Sequence, residues 1–239
     1  MGCATAPFKD ALILKGCIPA SRCATQARMT DHDFAALLCS RLCHDLMSPV
    51  GALNNGLELL EDETDPTMRE QIVELLGDSA TATATKLKFF RLAFGAAGGF
   101  GAQIDTGEAK AVLEGLFAQE KKVAVNWMVD EPRLPKDAVK LLLNLALVAG
   151  DALVRGGQLD VGAERRDGEI ELVIRAEGPR LILDSKLRAL LEGAEADADP
   201  EPRAAGILLA QKLAAGQGGA IRFSSPAETV MMIGATLAA

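Results

Sequence analysis

The sequence predicts an α+β protein, with an N-terminal helical hairpin that pairs with a second copy into a dimeric four-helix bundle and a C-terminal α/β sandwich behind it. Three observations predict this. Apolar or small residues at Cys39, Cys43, Leu46, Val50, Leu53, Leu57 and Leu60 recur in alternating steps of 4 and 3, the seam of helices that pack on partner helices. Asp65-Pro66 then opens a second helical pattern that stops in a glycine-rich stretch, Gly95 to Gly101, as an N-cap, a first-turn proline and a terminating glycine should. Beyond the glycines, strands and helices do not alternate regularly, which favours a mixed sheet with helices on one face over a doubly wound sheet.

Taken in order, residues 1–30 carry Lys9, Lys15, Arg22 and Arg28 against Asp10 alone, while the whole chain has a net charge of -8. The apolar run Ala11 to Leu14 is too short for a signal-peptide core. This segment reads as a disordered extension, or as one added by a start assigned ahead of Met29. Residues 31–97 form the hairpin. Its second helix has the stripe Met68, Ile72, Leu76, Ser79, Thr83, Leu87, Phe90 and Phe94. At ~1.5 Å per residue each helix is about 45 Å long, and a lone hairpin cannot bury both faces, hence the dimer. Residues 103–239 form the sandwich. Thr106 to Gln119 reads as a helix, Val123, Val125, Trp127 and Val129 alternate as a strand, and Pro135 opens a helix to about Val154. Strands Gln158 to Glu164 and Glu169 to Ala176 hinge at Asp167-Gly168. Helices from Ser185 to Leu191 and Arg203 to Ala215, with strands near Ala220 to Phe223 and Thr229 to Leu237, complete it.

Composition excludes several functions. With 33 acidic against 25 basic residues, nothing draws the chain to nucleic acid or an anionic membrane. One Trp and no Tyr leave few platforms on which bases could stack. There is no uncharged apolar run long enough to span a bilayer. Two histidines, His32 and His44, rule out a metal centre built on several imidazoles, and five cysteines without a C-x-x-C pair argue against a disulfide framework. A reducing cytoplasm is expected, and Cys39 and Cys43 are expected to be packing residues on the inward stripe.

The chemistry concentrates in Arg41-Leu42-Cys43-His44-Asp45-Leu46-Met47-Ser48-Pro49. With the seam fixed, His44 shares a face with Arg41, Ser48, Gly51 and Asn55 and points away from the core. An exposed imidazole on a bundle helix can attack phosphorus and hold the phosphoryl group as a phosphoramidate. Arg41 is placed to neutralise phosphoryl oxygens and Ser48 to donate a hydrogen bond to them. Asp45 lies about 100° round the helix, yet its carboxylate can orient the ring nitrogen that keeps its proton. Pro49 is expected to interrupt the helix just beyond.

His-Asp-Leu-x-Ser-Pro on the first helix of a hairpin, followed by a smaller α/β domain, resembles the phosphoacceptor box of histidine kinases. The fuller string from Phe34 to Pro49, with Gly56-Leu57-Glu58-Leu59-Leu60-Glu61-Asp62 behind it, is similar to the ChpT histidine phosphotransferases of alphaproteobacteria. The likeness runs from about residue 31 to the C-terminus and is most specific in the first helix. It implies a phosphorelay protein that controls the cell cycle, taking a phosphoryl group on His44 from the receiver domain of a CckA-type hybrid kinase and passing it to CtrA-type and CpdR-type response regulators. It also implies a C-terminal domain resembling a histidine-kinase ATPase domain. The chain itself then needs no cofactor, since Mg²⁺ belongs to the receiver.

The nucleotide boxes of such a domain are degenerate here. Asn144-Leu145-Ala146-Leu147-Val148-Ala149 has Val148 where the second asparagine would hold Mg²⁺, and valine offers a hard cation no oxygen. Ala176-Glu177-Gly178-Pro179-Arg180 replaces the adenine-binding D-x-G-x-G, and Ala204-Ala205-Gly206-Ile207 keeps one glycine of the phosphate-covering G-x-G-L. The alternatives are an active kinase with a divergent ATP site, separated by binding of Mg-ATP, and a non-catalytic dimeric scaffold, separated by replacing His44.

Overall fold

The computed structural model describes residues 29–95, 102–120, 123–197 and 200–238. The extension, apart from Met29 and Thr30, therefore lies outside the described residues, as does the glycine stretch beyond Gly95. Helix α1 (Asp31–Asp62) starts at a capping box: the Thr30 hydroxyl accepts from the Asp33 amide and the Asp33 carboxylate accepts from the Thr30 amide, satisfying donors that the helix cannot. Helix α2 (Pro66–Phe94) is capped by Asp65, which accepts from the amides of Thr67 and Met68. Arg69 closes the turn by donating to the carbonyls of Leu60 and Glu63, the orphan acceptors at the end of α1.

Within one chain the hairpin buries a different stripe of α1 from the heptad seam. Leu37, Arg41, Pro49 and Gly56 are buried against the rest of the molecule, whereas Cys39, Cys43, Val50 and Leu57 are exposed. The seam is thus turned partly outward, and the inward placement expected for Cys39 and Cys43 does not hold within the single chain. Gly56 is where the helices close: a Cβ there would lie 2.8 Å from a methyl of Leu76. On α2 the predicted stripe buries Ile72, Ser79 and Phe90, but Met68 and Leu87 are exposed, and the unpredicted Phe89, Leu92 and Ala93 are buried.

The C-terminal domain comprises β1 (Gln103–Asp105), α3 (Thr106–Glu120), β2 (Val123–Val129), β3 (Arg133–Pro135), α4 (Lys136–Ala152), β4 (Gly157–Arg166), β5 (Glu169–Glu177), α5 (Ser185–Leu191), α6 (Ala204–Gly216), β6 (Ile221–Ala227) and β7 (Val230–Ala238). A five-stranded sheet runs in the order β2-β4-β5-β7-β6, with β2 parallel to β4 and the remaining pairs antiparallel. It is the mixed sheet expected from the sequence. The small β1–β3 ribbon was not expected, because three-residue strands are too short for alternation to show. Asp167 and Gly168 both take positive φ, the backbone twist of a two-residue hairpin.

One face of the sheet carries Leu159, Val161, Ile170, Leu172, Ile174 and Ile233 into the core beneath the helices. That core also takes in Leu37, Phe89, Phe90, Leu92 and Ala93 from the hairpin, so the base of the hairpin and the C-terminal domain share their apolar interior. Asn144 on α4 is fully buried, and its amide donates to the carbonyls of Ala93 on α2 and Lys140 on its own helix.

The opposite face holds Asp160, 7% exposed, which accepts from Asn126, Gln158 and Arg175. Burial pushes this carboxyl up, but the three donors and the Arg175 charge outweigh it and hold it below the usual carboxylate range. A carboxylate depressed on folding contributes stability that is present above its unfolded value, about 3.9, and that is lost as pH falls through the folded value. Replacement of Asp160 by Asn therefore lowers the urea midpoint at pH 7, and the gap to wild type closes as pH drops below about 3.9. A gap independent of pH would contradict this account.

Candidate functional site

His44 sits mid-helix on α1 with 61% of its side chain exposed. Its Nδ1 lies 2.9 Å from Asp45 Oδ1. An ionised carboxylate can only accept, so this contact places the proton of the neutral ring on Nδ1 and leaves the Nε2 lone pair facing outward. The Asp45 carboxylate thus reaches the ring from the neighbouring position on the helix.

Asp45 is itself held. Its other oxygen, Oδ2, accepts from Arg41 Nε at 2.8 Å, one helical turn back. Arg41 does not lie out on the surface beside His44, as its position on the helix suggested. Its side chain is only 5% exposed and turns toward the C-terminal domain, where a terminal guanidinium nitrogen donates to Asp151 Oδ2 on α4 at 3.0 Å. The helical wheel places a Cα, and a long side chain can leave that face for a better partner. Burial by itself drives the guanidinium toward losing its proton, but Asp151 and Asp45 overcompensate and raise its pKa above the ordinary arginine value. Arg41 is therefore a buried cation between two carboxylates that is not displayed to an incoming phosphoryl group.

Pro49 does not interrupt the helix: α1 runs through it, and the ring is buried. What proline removes is one donor, the N–H that would bond the carbonyl four residues back. That carbonyl belongs to Asp45, and Lys86 Nζ on α2 donates to it at 3.1 Å. The ammonium thus replaces the missing helical bond and ties α2 to the backbone of the residue that orients the histidine. Sequence reading missed Lys86, although a proline on a packed helix is a signal to look for a replacement donor on its neighbour. Replacing Lys86 by Met should destabilise the protein by about 1 kcal/mol, the net worth of such a bond. The loss should be smaller in a Pro49→Ala background, where the helix supplies its own donor. Urea unfolding of the four proteins measures the cycle, and equal losses in both backgrounds would refute the link.

Beside these residues lies a cleft of about 180 Å³ between hairpin and domain, lined by Arg41, Asp45, Lys86, Asp151 and Arg203 over the Phe117 ring. Gly150 makes room for that ring, since a Cβ there would lie 2.1 Å from Phe117 Cζ. Ser48 is exposed on α1 close to His44 in sequence, beside Met47, which is 71% exposed. The positions of the degenerate nucleotide boxes are largely closed into the core: Val148 is 5% exposed, Ala176 and Ala205 are fully buried, and Ala204 opens α6 against the interior. Among the described residues no group of three or more His, Cys, Asp or Glu side chains is placed to hold a metal ion, and no helix is long and apolar enough to cross a membrane.

A two-helix hairpin that presents an oriented imidazole, with an α/β sandwich packed on its base, defines a phosphotransferase architecture. Comparison with known proteins agrees. Residues 106–229 match the family model of the histidine phosphotransferase C-terminal domain. The protein phosphotransferase ChpT of Brucella abortus (strain 2308) is 46% identical over 162 residues, 68% of this chain and 76% of that protein. The solved structure of a bacterial phosphotransferase superposes with a TM-score of 0.77 at 37% identity, covering 88% of this chain and 98% of the other. A histidine kinase of Acinetobacter baumannii, AdeS, aligns more loosely, at 13% identity and a TM-score of 0.43 over 82% of this chain and 97% of the other. The chain belongs to the ChpT family of histidine phosphotransferases.

Proposed function

We propose that this phosphotransferase is the phosphohistidine carrier of a multistep phosphorelay, with His44 as the acceptor. The observation that carries the proposal is the outward Nε2 of an exposed ring whose Nδ1 is engaged by Asp45. The Nε2 lone pair attacks the phosphorus of an aspartyl phosphate on a receiver domain. The bond from phosphorus to the aspartyl oxygen breaks, and the carboxylate leaves with the bonding pair. The ring gains positive character as the new N–P bond forms, and Asp45 stabilises it while the proton stays on Nδ1. The reverse sequence delivers the phosphoryl group to a second receiver. In this reading Mg²⁺ belongs to the receivers, and Ser48, one turn along α1 and exposed, donates a hydrogen bond to a phosphoryl oxygen. The family likeness supports a CckA-type hybrid kinase as donor, CtrA-type and CpdR-type regulators as acceptors, a role in cell-cycle control and a cytoplasmic location.

A homodimer is part of this reading. Val50, Leu57, Met68 and Leu87 are all close to half exposed on the single chain, and an apolar groove between the helices is lined by Leu38, Cys39, Leu42, Phe90 and Phe94. A second hairpin would cover these surfaces, leaving both His44 rings outside. Sedimentation equilibrium at micromolar concentration should give the dimer mass.

The functional test is incubation with a phosphorylated receiver domain. Acid-labile phosphate should appear on this chain, while Mg-ATP alone should neither label His44 nor give saturable heat in calorimetry. Autophosphorylation from ATP would establish the kinase alternative, and no uptake from any receiver would favour the scaffold.

A further inference from the structure

The two oxygens of Asp45 are divided between two partners, Oδ1 to His44 Nδ1 and Oδ2 to Arg41 Nε. A guanidinium is a planar fork that frequently takes a carboxylate through two parallel N–H donors. Here the second arm of the fork is turned away from Asp45 and bonded to Asp151 Oδ2 at 3.0 Å. Asp151 comes from α4 of the C-terminal domain, 110 residues along the chain, and lines the same cleft as Asp45 and Lys86.

We infer that Asp151 is a positioning residue for His44: by occupying one arm of the Arg41 fork it keeps Arg41 on a single oxygen of Asp45 and reserves the other for the imidazole. The C-terminal domain thereby sets which nitrogen of the histidine is the nucleophile, without touching the ring. Without Asp151 the second arm of the fork is released to swing onto Asp45 Oδ1 and compete there with Nδ1, and the ring shifts toward the Nε2–H form that free imidazole side chains prefer, in which Nε2 has no lone pair in the ring plane to offer phosphorus. The inference rests on the carrier reading for its consequence in phosphotransfer, but its structural core can be tested separately.

The test uses full-length wild type, Asp151→Ala and Asp151→Glu. Long-range ¹⁵N–¹H spectra of histidine-labelled protein report the tautomer directly, and with two histidines in the chain a His32→Gln background assigns the signals. Wild type should show His44 as Nδ1–H, Asp151→Ala should shift it toward Nε2–H, and Asp151→Glu should restore the wild-type form at least in part. Phosphoryl uptake at saturating receiver should fall about 10- to 100-fold in the Ala variant, the range expected when a reacting group is misplaced, with half-saturating receiver concentration unchanged. An Ala variant that folds but keeps the wild-type tautomer and uptake rate overturns the inference. If it fails to fold, Asp151→Leu, which keeps the size but offers the Arg41 arm no acceptor, takes its place under the same criteria. Failure of wild type to take up phosphate would refute the carrier reading while leaving the tautomer comparison to decide the role of Asp151.

Discussion

A His44→Gln protein should fold normally and take up no phosphate from a phosphorylated receiver. The side chain is 61% exposed and lies outside the core, and the interaction it makes is with the adjacent Asp45. Surface replacements of this kind change stability by no more than about 0.5 kcal/mol, so urea midpoints of variant and wild type should coincide. Glutamine keeps a polar group near Asp45 but has no nucleophilic nitrogen, because its amide lone pair is delocalised into the carbonyl. Uptake should therefore fall to background. His32→Gln is the matched control: His32 is exposed in the first turn of α1, and its replacement should leave uptake at the wild-type rate. Acid-labile phosphate on the His44→Gln protein would show that the acceptor is elsewhere.

The second large effect is expected at Arg41. Its replacement by Met keeps most of the volume but leaves Asp45 and Asp151 without the cation between them. Breaking a buried ion pair from one side costs about 3–5 kcal/mol when the orphaned charge cannot reach water. The Asp45 and Asp151 side chains remain 17% and 26% exposed, so the lower end, about 3 kcal/mol, is expected. Uptake should also fall, since Asp45 loses the partner that fixes its Oδ2. Lysine in place of arginine should recover part of the stability but less of the uptake, because one ammonium cannot span both carboxylates with the geometry of a fork. Denaturant titration and receiver-dependent phosphorylation of the three proteins give both readouts. A Met variant as stable and as active as wild type would exclude this role for the buried cation.

Local signals in the chain are strong where the structure is locally determined. Asp65-Pro66, Asp167-Gly168 and the start of α5 were legible because caps and turns require particular residue types within a few positions. The exposed His44 followed from the helical period alone. Arg41 was misplaced for the opposite reason: its partner Asp151 is on another domain, and no spacing within α1 encodes it. Lys86 escaped notice because the carbonyl it satisfies is made available by Pro49, on a different helix. The burial of Phe89, Leu92 and Ala93 likewise reflects the C-terminal domain packing on α2, whereas the heptad seam runs along a surface that a single chain covers only in part.

Asn144 is the surviving first letter of the asparagine box, and its amide group is spent on the end of α2 and on its own helix, with Gly206 so close that a Cβ would stand 3.2 Å from the Asn144 side-chain oxygen. It works as a rivet between the histidine-bearing hairpin and the sandwich. A kinase must let its nucleotide domain travel to the histidine and withdraw, so a bond of this kind would be an encumbrance to it. In the proposed carrier, whose phosphoryl groups arrive and leave on other proteins, the same residue is free to tie the two lobes together. The fragment of motif that most invites a nucleotide is thereby the part that bonds the sandwich to the hairpin.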